Sequence, residues 1–163
     1  HMPGDFQTTR GLTMIEVMKV TAIISILTGI LLTAVQGVRT HARRTKARHD
    51  VDQVTAAWLT YLQEYRRFPL TVTITNMGPN AVAVLNGSAH ADNHRRVIFM
   101  DFGSSTTHFP DPWGTDYQMV LDSDGDNKVT VPGGNEVYVS VGVWSVGPDK
   151  TADSSDDVRS WSK

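Results

Sequence analysis

The sequence predicts an α+β chain in which one long N-terminal helix packs on a small antiparallel β-sheet head. Three observations carry this expectation. The nineteen residues from Val20 to Val38 contain no charge, which is long enough to cross a bilayer core as a helix. Val51, Val54, Trp58, Tyr61, Leu62 and Tyr65 then recur at helical spacing, giving an apolar stripe that must be buried against another layer. Beyond Pro69 the hydrophobic period falls to two, the pattern of half-buried strands.

Composition sets the frame for these elements. A chain of 163 residues is one domain, or one domain on a helical stalk. The net charge of -2 conceals a division: residues 1–67 carry nine Lys or Arg and five Asp or Glu, whereas residues 68–163 carry six and twelve. A basic stalk and an acidic head follow, the head either binding cations or staying soluble by its charge. With no Cys the head has no disulfide, and a bound metal is one remaining way to pin its loops.

Taken in order, His1-Met2 reads as a cloning remnant, and residues 1–11 form a short hydrophilic leader without periodicity. Residues 12–38 form a hydrophobic anchor and assembly helix with one carboxylate, Glu16, near its start, an expensive group in such surroundings. Thr21, Ser25, Thr28, Gly29, Thr33 and Gly37 are small or hydroxylated, which lets neighbouring helices approach closely. Arg39, Arg43, Arg44, Lys46 and Arg48 follow as a basic band without interleaved aromatics. This fits a solvated or lipid-headgroup face better than a nucleic-acid site, and no nucleic-acid partner is expected. The helix is expected to run over 39–67 and to end at Phe68-Pro69.

In the head region of 70–163, Leu70, Val72 and Ile74 alternate, Ala81 to Leu85 fits a strand or a helical turn, and Val97 to Met100 reads as a short buried run. Tyr117, Met119 and Leu121 alternate as a strand, and Val129 and Val131 as another. Val137, Val139, Val141 and Val143 mark one face of the strongest strand. The tail from Gly147 is polar except for Val158 and Trp161.

Gly11-Leu12-Thr13-Met14-Ile15-Glu16, with the apolar run that follows, resembles the class III signal and anchor of type IV pilins and type II secretion pseudopilins. Here the cut would lie before the apolar core, whereas an ordinary secretory signal is cut after it. The resemblance implies cleavage after Gly11 by a prepilin peptidase, methylation of the Leu12 amine, and a Glu at the fifth mature position, which is Glu16. It implies that Glu16 meets the N-terminal amine of a neighbouring subunit in a helical bundle, drawn into a filament by an inner-membrane platform and an assembly ATPase. The positive-inside tendency would place the basic band in the cytoplasm; the resemblance places it outside, with a periplasmic pilin-like head. Lys19 departs from the family pattern. Three residues after Glu16 on one helix face, it is placed for an intrahelical pair that would compete with the neighbour's amine.

Asp111-Pro112-Trp113-Gly114 with Tyr117, and the tail with its Asp157-Val158 step and Trp161, further resemble the major pseudopilin of type II secretion. That family holds calcium in the C-terminal loop. The resemblance implies Asp157 as a ligand; Ser155 stands where the family has a second Asp, and Asp153 or Asp156 is left to substitute. Independently, Asp122, Asp124 and Asp126 alternate in one loop, the opening of a calcium-binding pattern. Glu136 lies near it in sequence, and Gly133 stands where an EF-hand would end on Glu.

His90 and His94, four apart, lack a recognisable third zinc ligand. Asp101, Ser104, Ser105 and His108 lack a nucleophile elbow, and no enzyme is expected. The expected function is that of a structural subunit of a type II secretion pseudopilus at the bacterial inner membrane. The alternatives are a type IV pilus or competence pilin, and a membrane-anchored calcium-dependent binding domain that does not polymerise.

Overall fold

The structure is a computed structural model that describes residues 11–69, 76–103 and 107–162. The leader before Gly11, the alternation of Leu70, Val72 and Ile74, and Ser104 and Ser105 lie outside the described residues. The chain divides into two compact units after His41. One helix, α1 (Met14–Tyr65), supplies the whole described helical part of the first unit and the opening of the second.

In the first unit the described apolar side chains are largely exposed. Ile15, Ile23, Leu27 and Ile30 are each more than half exposed. The hydroxyls of Thr21, Ser25 and Thr28 donate to carbonyls one turn back, which removes their polarity from the helix surface. By length and composition α1 contains a stretch that can cross a membrane.

In the second unit the stripe on α1 is buried as expected: Val51, Val54, Trp58 and Tyr61 join a core with Met77, Val82, Leu85, Tyr117, Met119 and Val143. Ala47 and Ala57 belong to the same buried face. Their small side chains gave no periodic signal, although they permit close approach of the layer above. The helix ends at Tyr65, two residues earlier than its expected span. Arg66 turns left-handed at φ 60°, and its N–H donates to the carbonyl of Leu62.

Short elements surround this helix half. The 81–85 segment is helical, within α2 (Pro79–Leu85), where Pro79 supplies a favourable first-turn residue. A 3-10 turn spans Ala91–Asn93. Asn93, fully buried, ties three segments together: its amide donates to the carbonyls of Val84 and Val97 at 2.7 and 2.8 Å, and its oxygen accepts from the Tyr65 hydroxyl at 2.8 Å. Burying that amide is sustainable only because each of its groups is paired. The Val97 to Met100 run is neither strand nor fully buried, since Ile98 is 69% exposed. Its N–H groups at Phe99 and Met100 share the carbonyl of Leu85, so the backbone bends around the helix end instead of extending.

The sheet is antiparallel, in the order β1–β4–β5, from β1 (Gln118–Leu121), β4 (Val141–Ser145) and β5 (Val158–Arg159). A separate two-stranded ribbon pairs β2 (Val129–Thr130) with β3 (Glu136–Val137). The predicted strand through Val137 and Val143 is therefore two strands in two sheets. The Ser140 carbonyl accepts from the Asp122 N–H, one step beyond the Leu121–Val141 pair of β1 and β4, whereas the Val139 N–H donates back to the Val137 carbonyl, so the alternation that looked continuous is interrupted at Val139. The polar tail also contributes a strand, β5, which pairs with Trp144 and Ser145.

Candidate functional site

At the start of α1 the cleavage and assembly residues are adjacent. Gly11 and Leu12 precede the helix and are exposed, Leu12 to 76%. A Cβ on Gly11 would meet no atom within 4 Å, so among the described residues no packing contact demands glycine there. Thr13 and Glu16 form a reciprocal cap. The Glu16 carboxylate accepts from the Thr13 N–H and hydroxyl, both at 2.8 Å, and the Glu16 N–H donates to the Thr13 hydroxyl at 3.4 Å. This satisfies donors that a helix start otherwise leaves open. The Thr-x-x-Glu spacing is itself a capping signal in the sequence. It corrects the expected Lys19 contact: among the described residues no ion pair joins Glu16 to Lys19, because the carboxylate is turned back toward Thr13.

The loop between β1 and β2 brings Asp122, Asp124 and Asp126 together, with one carboxylate oxygen of each within 4.8 Å of the others. Asp122 is the buried member, and its two oxygens accept the N–H groups of Gly125 and Asn127, both at 2.7 Å. Burial opposes ionisation of Asp122, but these backbone donors, with help from Asp124 and Asp126, hold it below the ordinary carboxylate range. Gly125 at φ 80° and Asn127 at φ 60° let the chain turn tightly enough to aim those donors inward. Arg66 and Arg67 border the same cleft, yet among the described residues no ion pair links them to the three carboxylates. Glu136 pairs with Lys128 at 3.6 Å. Three close carboxylates that pair with no cation among the described residues fit calcium, a hard ion that takes oxygen ligands.

The second acidic segment is arranged differently. Asp153 and Asp157 both receive the Arg159 guanidinium at 3.1 Å. Asp156 shares the Ser154 hydroxyl with Asp157 but does not pair with Arg159: one of its oxygens accepts from that hydroxyl and the other lies against Gly147, where a Cβ would come within 2.7 Å. The Ser154 bond, followed by the donors around Asp149, holds Asp156 below the ordinary carboxylate range against the effect of burial. The expected C-terminal ligands thus sit in one loop, but they do not converge on a vacant centre. Their charge is met by a residue of the chain, so this donor set does not fit calcium as the other does.

Two further carboxylates, Asp50 and Asp111, are buried in the head. Asp50 on α1, 6% exposed, accepts from the Tyr117 hydroxyl at 2.9 Å and pairs with Lys46 at 2.6 Å. Burial, and then the bond to Asp50, push the Tyr117 hydroxyl far above its usual value. Asp111, at the start of the Asp-Pro-Trp-Gly turn, accepts from the N–H groups of Trp113 and Thr115 and from the Ser145 hydroxyl. That turn is a brace from loop to β4, which its turn-forming residues alone do not reveal.

His90 and His94 flank the 3-10 turn instead of sharing a helical face. His90 accepts from the Asp92 N–H, and His94 packs edge-on against Tyr65. His108 bonds to Asp116 at 2.9 Å, while Asp101 accepts from the Gly103 N–H.

No protein-family model matches the chain. Type II secretion system core protein G of Klebsiella pneumoniae is 29% identical over 157 residues, covering 95% of this chain and 96% of its own. The protein of that name from Pectobacterium carotovorum is 26% identical, covering 93% and 84%, and that from Aeromonas hydrophila 28%, covering 93% and 91%. The crystal structure of the major pseudopilin from the type 2 secretion system of enterohaemorrhagic Escherichia coli aligns at a TM-score of 0.47 and 21% identity, covering 77% of this chain and 92% of that one. Over nearly its whole length the chain is thus similar to several relatives of one name, core protein G of type II secretion systems.

Proposed function

We propose that the chain is a structural subunit of a type II secretion pseudopilus that drives protein export. A prepilin peptidase cuts after Gly11 and the Leu12 amine is methylated. The subunit waits in the bacterial inner membrane with its head in the periplasm, and the platform and assembly ATPase then polymerise it with other pseudopilin subunits. The observation that carries this reading is the exposed apolar half of α1 with Glu16 capping its start. That surface requires a lipid or helical-bundle environment, and the full-length relatives are secretion-system proteins. Glycine at position 11, which no packing contact among the described residues explains, suits recognition by a processing enzyme. Mass spectrometry of the protein extracted from membranes is expected to find Leu12 as the mature first residue, heavier by one methyl group. An intact leader on the membrane-extracted protein would refute the processing step.

Calcium is part of this proposal, held by Asp122, Asp124 and Asp126. It would neutralise three like charges and fix the loop leading from β1 into the ribbon. An ion bound only by the folded state raises its melting temperature. Millimolar calcium is therefore expected to raise the melting temperature of the wild-type protein over that in chelator, and Asp124→Asn to diminish the shift. Identical melting curves in calcium and chelator would remove the ion from the reading.

A further inference from the structure

The C-terminal loop contains a cation of its own. Arg159 lies in β5, where its backbone is paired with Trp144 in antiparallel register. Its Nη2 group donates to Asp153 Oδ1 at 3.1 Å, to the Ser154 carbonyl at 3.0 Å and to Asp157 Oδ2 at 3.1 Å. Two carboxylates and a main-chain carbonyl converging on one positive group is the kind of oxygen set that a divalent cation takes.

The remaining lone pairs are also used. Asp157, whose side chain is 1% exposed, accepts from the Asp153 N–H at 2.9 Å and from the Ser154 hydroxyl at 3.1 Å. A carboxylate buried to this degree needs a resident counter-charge, and the planar guanidinium, with several donors, can serve several acceptors at once. Asp153 itself has left-handed backbone at φ 64° and sits against Gly133, where any Cβ would collide with its carboxylate. The turn between β2 and β3 thus leaves room for Asp153 to reach Arg159.

We propose that Arg159 takes the place of calcium in this loop, so that segment 149–159 closes on β5 without any divalent metal. The metal response of the chain then belongs to Asp122, Asp124 and Asp126 alone. The inference stands on the ion cluster and does not depend on the export reading.

Full-length protein in detergent provides the test, in a background carrying Asp124→Asn and Asp126→Asn so that the first loop is silenced. With Arg159 intact, this background is expected to bind no calcium by calorimetry and to melt at the same temperature in calcium and in chelator. Adding Arg159→Gln is expected to create calcium binding and a melting temperature several degrees higher in calcium, both abolished by a further Asp157→Asn. A variant unfolded in chelator and restored by calcium would support the proposal equally. Should Arg159→Gln fail to fold in either condition, Arg159→Lys, which retains the charge, is expected to fold and melt independently of calcium. Calcium binding by the Arg159 background that Asp157→Asn removes, Arg159→Gln folding normally without gaining calcium, or a calcium-dependent Arg159→Lys would each overturn it. Absence of calcium binding in the wild type would instead defeat only the reading of the 122–126 loop.

Discussion

The two halves of α1 are both rich in apolar residues, and they meet opposite fates. Between Leu12 and Leu31 the large apolar side chains lie open, with Ile15 62% and Leu27 61% exposed, whereas Val54 and Trp58 are fully buried. The difference lies in how the residues are distributed. The first half is apolar around its circumference and softened by small and hydroxyl residues, so every face suits lipid or another helix. The second half keeps its apolar residues on one side and its charges on the other, so this chain's own sheet and loops can cover it. One continuous helix therefore combines a segment that needs an environment from outside the chain with one satisfied within it.

The sharpest way to break that comparison is at the helix start. Glu16→Ala removes both the proposed partner of a neighbour's amine and the cap on Thr13. Filament formation, followed by cross-linking between subunits, is expected to be abolished while the head retains its melting temperature. Filaments at the wild-type level would mean that the first half assembles through apolar contact alone.

Next in size are two truncations, one in each half. Trp58→Ala empties a fully buried site and is expected to lower the stability of the head by about 3–5 kcal/mol in denaturant unfolding. Leu27→Ala, the same kind of truncation on the exposed half, is expected to leave that stability unchanged. A comparable loss from both would show that the halves are not energetically separate.

A smaller effect is expected at the polar contact between the helix and β1. Tyr117→Phe keeps the ring but removes the hydroxyl that donates to buried Asp50. Losing a partner of a buried charged group costs about 1–3 kcal/mol, and Lys46, still paired with Asp50, keeps the loss toward the lower end. Denaturant unfolding checks this, and an unchanged midpoint would show that Lys46 suffices alone.

How much of this was legible in the sequence follows from the range of the interactions involved. Periodicity is a local signal, so the stripe from Val51 to Tyr65 and the strand around Met119 could be read directly. The Asp122–Asp126 cluster is local as well, since its members are two residues apart and a turn brings them together. The break between β3 and β4 was hidden because the valines keep their period of two while the Val139 N–H turns back to Val137 and Ser140 already follows the register of β1, opposite Asp122 eighteen residues away. Arg159 was hidden for a related reason. In sequence it is one basic residue in a polar tail, and its importance depends on a loop that folds Asp153 back to meet it. Asp50 and Asn93 likewise look like ordinary surface residues until Tyr117 and Val84 are placed beside them.

Lys19 is expected to matter least, and that expectation follows from Glu16. Spacing alone allows an ion pair between them, but the Glu16 oxygen is already committed to two donors on Thr13 at 2.8 Å. A third residue can compete for a neighbour's amine only if it holds the carboxylate, and Thr13 is the residue that does. Thr13→Val, which removes the hydroxyl donor, is therefore expected to change filament yield more than Lys19→Val does. Cross-linking yields from the two variants, measured side by side, decide the order. A larger change from Lys19→Val would show that the carboxylate leaves Thr13 for Lys19 in the membrane, and that the cap formed in the isolated chain gives way before assembly.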